Sequence, residues 1–337
     1  MPRTFFEDLH PGSTLSLGSA TMAKDEMIAF ATEYDPQPFH VDEVAARETF
    51  VGTLIASGWH TAAVNMRLFA DGLLLDSSAM GAPGIDELKW LKPVLPGDTL
   101  RSRVAIVETR PSESRPTLGL VRFAFEVSNQ KDEPVMTQSN WVLFGRREPG
   151  PEPTERTARP RPAPAAEDVP PAIVRVTPNP YLDDLVVGEI IELGSRTFTA
   201  DHIVRFAKAY DPQLFHVDEV AAKGTLLGGL CASGWQTAAT WMSLMAAHRG
   251  RIRADTIGRG ERPARLGSSP GFKDMKWFKP VFAGDTLTYR TRVSDRRAST
   301  SRPGWGLAFH HNTAVNQKGE TVFAFDGVVF WERRPGL

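Results

Sequence analysis

The sequence predicts an α+β fold that occurs twice in one chain of 337 residues. Residues 30–63 and 206–239 are identical at 24 of 34 positions, a repeat long enough to indicate one structural unit present twice. In each copy, helical patterns are followed by a run of segments with strand-like alternation. Helices followed by consecutive strands are typical of the α+β class.

The repeat continues on both sides of the identical stretch. Downstream, Lys89-Trp90-Leu-Lys-Pro-Val corresponds to Lys276-Trp277-Phe-Lys-Pro-Val, with an offset of 187 in place of 176. The second copy therefore has eleven additional residues between His248 and Gly271. The segment between the copies is rich in Pro, Arg and Glu, a composition that buries little apolar surface. We predict a first domain over 1–146, a linker over 147–178 and a second domain over 179–337.

The first predicted helix carries Met27, Phe30, Ala31 and Tyr34 on one face, and Ile203 to Tyr210 repeat this spacing in the second copy. It should end at Asp35, because a residue before proline is disfavoured in helical geometry. We expect a turn over 35–40 and a second short helix over 41–46, whose early acidic residues suit a helix start.

A longer helix is predicted from Trp59 to about Leu75, which corresponds to roughly 25 Å. Segments 98–107, 119–127 and 135–144 are rich in β-branched and aromatic residues and alternate as strands do. Each unit is therefore expected to pack an antiparallel sheet against one long helix.

Composition and charge exclude several functional classes. The formal net charge is -1, so no overall positive field favours nucleic acid. No apolar run approaches the roughly 18 residues of a membrane span, and the N-terminus does not resemble a signal peptide, so we expect a cytoplasmic protein. Cys231 is the only cysteine, which excludes an internal disulfide.

Motifs for phosphate, nicotinamide and metal chemistry are missing from the sequence. It contains no P-loop, no Rossmann glycine pattern, no His-Glu-x-x-His and no Gly-x-Ser-x-Gly. We therefore expect no cofactor and no metal.

Both copies carry a short motif between the first helix and the long helix. The first reads Asp35-Pro-Gln37-Pro38-Phe-His40 and the second Asp211-Pro-Gln213-Leu214-Phe-His216, followed by Ser57-Gly58 and Ser233-Gly234. The motif resembles the Asp-x-Asn-Pro-x-His signature of MaoC-like (R)-specific enoyl-CoA hydratases, in which a glycine begins the long helix. Glutamine replaces the signature asparagine in both copies, and Leu214 replaces the proline in the second. The resemblance covers nearly the whole chain except the linker and the insertion.

This resemblance implies a double hot-dog fold, with two antiparallel sheets each wrapping a central helix and paired as an intramolecular pseudo-dimer. Further homodimerisation stays open. It also implies a hydro-lyase of fatty acid metabolism that interconverts trans-2-enoyl-CoA and (R)-3-hydroxyacyl-CoA, with the CoA thioester as substrate.

The resemblance also assigns roles to particular residues. Asp35 with His40, and Asp211 with His216, would activate water, because an imidazole and a carboxylate can both accept its protons near neutral pH. The thioester oxygen would lie at the helix starts of Gly58 and Gly234, where unpaired N–H groups and the helix dipole favour negative charge.

Structural explanations compete with these functional ones. An aspartate before proline is a common turn residue, and His40 could cap the following helix. The same pair at the same spacing in both copies favours a site. Two other functions stay open: a hot-dog thioesterase, and a non-catalytic acyl-CoA-binding module.

Several further residues have two interpretations each. The arginines of the insertion, from Arg249 to Arg265, are interpreted as part of a solvated mobile loop, with a clamp for the CoA phosphates as the alternative. Lys92 and Lys279 are weaker candidates for contact with CoA, and the tryptophans at positions 59, 90, 235 and 277 are expected to pack in the core. The differences between His60 and Gln236, between Thr53 and Gly229, and between Ile55 and Cys231 predict that the two pockets are not equivalent.

Overall fold

The computed structural model describes residues 3–150 and 178–336. Within them, the first half of the chain forms β1 (Thr14–Thr21), α1 (Lys24–Tyr34), α2 (Pro38–Val41), α3 (Glu43–Arg47), α4 (Gly58–Gly72), β2 (Gly84–Trp90), β3 (Thr99–Pro111), β4 (Leu118–Ser128) and β5 (Pro134–Gly145). The second half forms β6 (Ile190–Thr197), α5 (Ala200–Tyr210), α6 (Leu214–Val217), α7 (Glu219–Ala222), α8 (Gly234–Gly258), β7 (Gly271–Trp277), β8 (Thr286–Ala298), β9 (Trp305–Val315) and β10 (Thr321–Glu332). Most of the predicted linker lies outside the described residues, so the domain boundaries stay predictions.

All ten strands belong to one antiparallel sheet in the order β1-β3-β4-β5-β2-β7-β10-β9-β8-β6. Five strands come from each half, and β2 pairs with β7 at the seam. Each half-sheet packs on its own long helix, α4 or α8. The predicted double hot-dog architecture with a continuous sheet is therefore confirmed.

Two glycines allow the halves to approach at the seam. Gly84 lies opposite Lys276, and Gly271 lies opposite Lys89. A Cβ atom on Gly84 would stand 2.0 Å from the carbonyl oxygen of Met275, and one on Gly271 would stand 2.1 Å from that of Leu88. Real side chains do not tolerate such distances, so glycine at both positions permits the close pairing of β2 with β7.

The apolar core is continuous between the halves. One cluster joins the starts of both long helices to the central strands, and in it the ring of Trp59 stacks on Phe272 with centroids 5.3 Å apart. A second cluster fills the far end of the first half, between the last turns of α4 and strands β3, β4 and β5. The second half has no apolar cluster of that size at the corresponding place among the described residues, and its core there includes polar side chains.

The segment after α1 contains more helix than the sequence predicted. Residues 38–41 form α2, where the sequence predicted a turn, because Pro38 has a backbone angle already suited to the first helical position. The predicted single helix over 41–46 is replaced by α2 and α3, since the carboxylate of Asp42 accepts hydrogen bonds from the N–H groups of Val44 and Ala45 and starts a new helix.

The interpretation of the insertion as a solvated loop is wrong for its first part. Helix α8 has 25 residues where α4 has 15, and it continues through the inserted segment as far as Gly258. Between Arg249 and Gly258 that segment has three arginines and one alanine, and the hydroxyl of Thr256 donates a hydrogen bond to the carbonyl of Ile252. Arginine and alanine are strong helix formers, which accounts for the longer helix.

None of the helices in the described ranges combines the length and the apolar character that crossing a membrane requires.

Candidate active site

Asp35 and His40, the predicted catalytic residues of the first half, lie together where α1 passes into α2. Asp35 follows the last residue of α1, and His40 is in α2. The Nε2 atom of His40 lies 3.3 Å from the Oδ2 atom of Asp35, and both side chains are buried. The short helix therefore turns the imidazole back towards the carboxylate.

The hydrogen bond of the other ring nitrogen fixes the tautomer of His40. Its Nδ1 atom lies 2.9 Å from the carbonyl oxygen of Ile55, which can only accept a hydrogen bond. Nδ1 must carry the proton, so Nε2 of the neutral ring presents a lone pair. The carboxylate and Nε2 are then two acceptors facing one point, an arrangement that suits a water molecule donating to both.

Two side chains hold the carboxylate of Asp35. The hydroxyl of Ser57 donates a hydrogen bond to Oδ2 over 2.7 Å, and the amide of Gln37 donates one to Oδ1 over 2.8 Å. The glutamine that departs from the family signature thus orients the carboxylate. Ser57 also accepts a hydrogen bond from the N–H of Trp59 and caps α4.

The second half repeats this arrangement. The Nε2 atom of His216 lies 3.4 Å from Oδ2 of Asp211, and its Nδ1 atom donates to the carbonyl of Cys231 over 2.7 Å. Ser233 and Gln213 donate hydrogen bonds to Asp211 over 2.6 and 2.8 Å. Leu214 begins α6 as Pro38 begins α2, so the loss of the proline leaves the local geometry intact.

Each pair lines a cavity with walls from both halves. The cavity at Asp35 and His40 has a volume of about 360 Å³, and the cavity at Asp211 and His216 about 660 Å³. Both volumes lie in the range of small-molecule sites. Met245 of α8 lines the first cavity, and Met66 of α4 lines the second.

The predicted thioester-binding glycines are the first residues of α4 and α8. Gly58 lines the first cavity and Gly234 the second. A Cβ atom on Gly58 would stand 2.5 Å from the Trp90 ring, whose indole N–H donates to the Gly58 carbonyl over 3.0 Å. Close packing against a tryptophan therefore explains the glycine without any ligand.

The candidate lysines and tryptophans line the cavities, whereas His60 does not. Lys92 and Lys279 line the cavities and pair with Glu133 and Glu320. The four tryptophans pack in the core as expected, and they also line the cavities. His60 lies outside both cavities and stacks on Phe30 with centroids 4.6 Å apart.

The arginines of the insertion do not form one cluster. Arg251 and Arg253 are exposed, while Arg262 and Arg265 pair with Glu332. Only Arg249, among those of the described insertion, lines a cavity.

The thiol of Cys231 lines the second cavity. Burial, reinforced by the charge of Asp211, raises the pKa of Cys231 to about 12, which keeps the thiol protonated. Within the described part of the chain, no three His, Cys, Asp or Glu side chains are grouped as metal ligands would be.

Sequence reasoning missed the residues that complete each site. Ser57 and Ser233 stand beside the predicted glycines in the repeated Ala-Ser-Gly-Trp segment, and their position at a helix start was the available signal. The cavity walls supplied by the opposite half had no local signal, because they depend on how the halves pair.

Comparison with known proteins decides the family. A family model described as "MaoC like domain" matches residues 9–122 and again residues 186–304. The chain belongs to the MaoC-like family. This MaoC-like protein is 28% identical over 255 residues to mesaconyl-CoA hydratase of Cereibacter sphaeroides, a match that covers 70% of this chain and 68% of that protein.

Two solved structures show the fold of this MaoC-like protein. A MaoC domain protein from Chloroflexus aurantiacus matches with a TM-score of 0.78 and 19% identity, over 99% of this chain and 98% of that one. A conserved hypothetical protein from Mycobacterium tuberculosis, described as having a double hot-dog fold, matches with a TM-score of 0.70 and 17% identity, over 97% and 98% of the chains. The predicted family and fold are thus confirmed.

Proposed function

We propose that this MaoC-like protein is a hydratase/dehydratase that interconverts trans-2-enoyl-CoA and (R)-3-hydroxyacyl-CoA thioesters. One observation carries the proposal. In each half, a carboxylate oxygen and an imidazole nitrogen lie 3.3 or 3.4 Å apart on a cavity wall, where one water could donate to both. Hydration of a conjugated double bond needs a base that activates water and an acid that protonates C2, and such a pair can supply both.

The proposed reaction adds one water without any other reactant. The pair of Asp35 and His40 takes one proton as the water oxygen bonds to C3 of the enoyl group, and the π electrons move towards the thioester carbonyl. The same proton then returns to C2, so no net charge or electron is gained. The reverse sequence dehydrates the 3-hydroxyacyl-CoA, and the proposal includes no cofactor or metal.

The start of α4 supports stabilisation of the developing negative charge. The first N–H groups of a helix have no partner within the helix, and the dipole is positive at that end. Gly58 lines the same cavity as the acid–base pair. An oxyanion bound there would lower the barrier by several kcal/mol at most, as single hydrogen-bond donors do in other enzymes.

A screen of trans-2-enoyl-CoA thioesters tests the proposal. Loss of the absorbance of the conjugated thioester reports hydration, and a thiol reagent in a parallel assay reports release of CoA. We expect the wild type to consume the enoyl absorbance without thiol release. The double variant Asp35→Asn with Asp211→Asn should lose about 1,000-fold or more in rate, since a general base typically contributes 10²–10⁴-fold.

The outcomes separate the competing functions. Thiol release would identify a thioesterase. Binding of thioesters without turnover of any of them would identify a non-catalytic module. Near wild-type rates in the double variant, with an unchanged thermal melting temperature, would exclude the proposed mechanism.

A further inference from the structure

The first cavity extends from the acid–base pair to a guanidinium contributed by the other half. Trp241, Met245 and Arg249 lie at i, i+4 and i+8 on one face of α8, and all three line the cavity. The ring of Trp241 lies 6.2 Å from that of Trp59, at the start of α4 near the pair. Arg249 lies eight residues further on, which is about 12 Å along the helix axis.

At this end of the cavity, the second half carries different residues from the equivalent positions of the first half. The repeat offsets place Arg249, His310, Asn312 and Trp331 where the first half has Leu73, Phe123, Phe125 and Phe144. The four first-half residues are buried together in one apolar cluster. All four second-half residues instead line the first cavity. Three polar side chains and a tryptophan have therefore replaced a packed apolar core, and they line the cavity at the site of the opposite half.

The polar residues at these positions make the fold less stable than apolar residues would. The Oδ1 atom of Asn312 is buried without a hydrogen-bond partner among the described residues, and so is the hydroxyl of Thr291, which stands where the first half has Val104. Each such group costs about 1–3 kcal/mol. The first half shows that the same fold closes this region with leucine, valine and phenylalanine, so a function beyond stability accounts for the polar set.

Arg249 is the charged member of this set. Its guanidinium lies 4.1 Å from the centre of the Trp331 ring, and it keeps accessible surface because it faces the cavity. Burial lowers the pKa of Arg249 to about 10, against which the charge of Glu189 acts, so the guanidinium is still a cation at neutral pH. Glu189 is not among the described residues that line the cavity, so a ligand would meet the guanidinium first.

The neighbouring groups do not add a second charge there. Burial, together with the charge of Arg249, lowers the pKa of His310 to about 3, so its ring is neutral. The other cation that lines this cavity, Lys92, is exposed and pairs with Glu133. This end of the cavity therefore presents one half-buried cation beside neutral polar side chains.

We propose that the site of the first half acts on acyl-CoA thioesters whose acyl chain ends in a carboxylate. This inference rests on the proposed hydratase function and specifies its substrate class. A guanidinium binds a carboxylate through two parallel hydrogen bonds, and burial strengthens that attraction. A methyl-ended chain would place an apolar group against the guanidinium and displace the water around it without a new hydrogen bond, which is costly.

The site of the second half should not share this preference. Its cavity is lined by Gln138 and Asn140, and the cations that line it, Arg115 and Lys279, are exposed. The two sites of one chain would then differ in substrate, although their acid–base pairs are alike.

Matched pairs of substrates test the inference in the Asp211→Asn background, where only the first site works. Each pair consists of two trans-2-enoyl-CoA thioesters of equal length, one ending in a carboxylate and the other in its methyl ester. We expect kcat/KM to favour the carboxylate by about 10- to 100-fold at the best length, as hydrogen bonds to charged groups allow. Arg249→Met should abolish this preference, and Arg249→Lys should keep part of it.

Arg251→Met is the matched control, because it removes the same charge from an exposed position of α8. It should leave the ratio of the two kcat/KM values unchanged. Equal kcat/KM values for both members of every pair in the parent enzyme would overturn the inference, whether or not an Arg249 variant folds. A uniform loss for all thioesters in Arg249→Met would overturn it as well, since that result indicates a contact with CoA.

Binding separates failure of this inference from failure of the proposed function. Calorimetric titration with a saturated acyl-CoA ending in a carboxylate, and with its methyl ester, needs no turnover. Tighter binding of the carboxylate that is lost in Arg249→Met would support the inference even if no enoyl-CoA were hydrated. Hydration of neutral enoyl-CoA with no preference in binding or rate would leave the hydratase standing and exclude the carboxylate class.

Discussion

At the scale of single residues, the site depends on how Asp35 is held. Its Oδ2 atom accepts a hydrogen bond from Ser57 and its Oδ1 atom accepts one from Gln37, and Oδ2 also faces Nε2 of His40. His40 is oriented in turn by a backbone carbonyl. Hydrogen bonds from neighbouring groups therefore fix the orientation of both side chains. The point between the carboxylate and the imidazole, on the cavity side, is where we expect the water.

Removal of the Ser57 hydroxyl should impair the site more than the fold. Ser57→Ala in the Asp211→Asn background is expected to lower kcat/KM by about 10- to 100-fold, because a hydrogen bond to a charged group is lost. Loss of the helix cap should reduce the free energy of unfolding by only about 1 kcal/mol. Steady-state kinetics and urea unfolding measure the two effects.

Ser57→Thr is the matched control for that experiment, since it keeps the hydroxyl. It should restore most of the rate lost in Ser57→Ala. An unchanged rate in the alanine variant would mean that Asp35 needs no orienting donor.

At the scale of elements, the helices and most strands follow from the sequence. The stripe from Met27 to Tyr34 and the Asp-Pro stop predict α1, and Ser57 caps α4, which begins at Gly58. Strand β2 was missed because Asp86, Glu87 and Lys89 obscure its alternation, and its place at the seam is set by pairing with β7. The length of α8 was also missed, since arginine-rich sequence is equally typical of solvated loops.

Helix α4 also carries an acid-sensitive contact. His60 is buried against Phe30 of α1 and Tyr210 of α5, and burial lowers its pKa to about 4. The unfolded chain, with an ordinary pKa near about 6.5, binds a proton more readily than the folded protein. Stability therefore falls as the pH drops from about 6.5 towards 4, and by pH 5 His60 alone should cost about 2 kcal/mol.

His60→Gln, which copies Gln236 of the second half, should remove that loss. Urea unfolding at pH 7.5 and pH 5 gives the free-energy difference, which we expect to be about 2 kcal/mol smaller in the variant than in the wild type. His10→Gln, at an exposed histidine, serves as the control. The same pH dependence in wild type and His60→Gln would contradict the assignment.

At the scale of the whole molecule, the two halves are similar in their acid–base groups and different in their cavities. The repeated motif predicts two pairs, and the structure places both pairs on cavity walls. The sequence could not predict which residues face each pair, because each cavity is completed by the long helix of the opposite half. The sequence also could not predict that Arg249 lines the first cavity, because this depends on the packing of α8 against the first half.

The central claim is that a carboxylate and an imidazole share one water beside a bound thioester. A crystal structure of the double variant Asp35→Asn with Asp211→Asn, grown with a 3-hydroxyacyl-CoA, tests it most directly, because the C3 hydroxyl marks where that water attacks. We predict this hydroxyl within hydrogen-bond distance of both Nε2 of His40 and the side chain at position 35, with the thioester oxygen at the start of α4. A thioester bound outside both cavities, or a C3 hydroxyl that contacts neither side chain, would contradict the account.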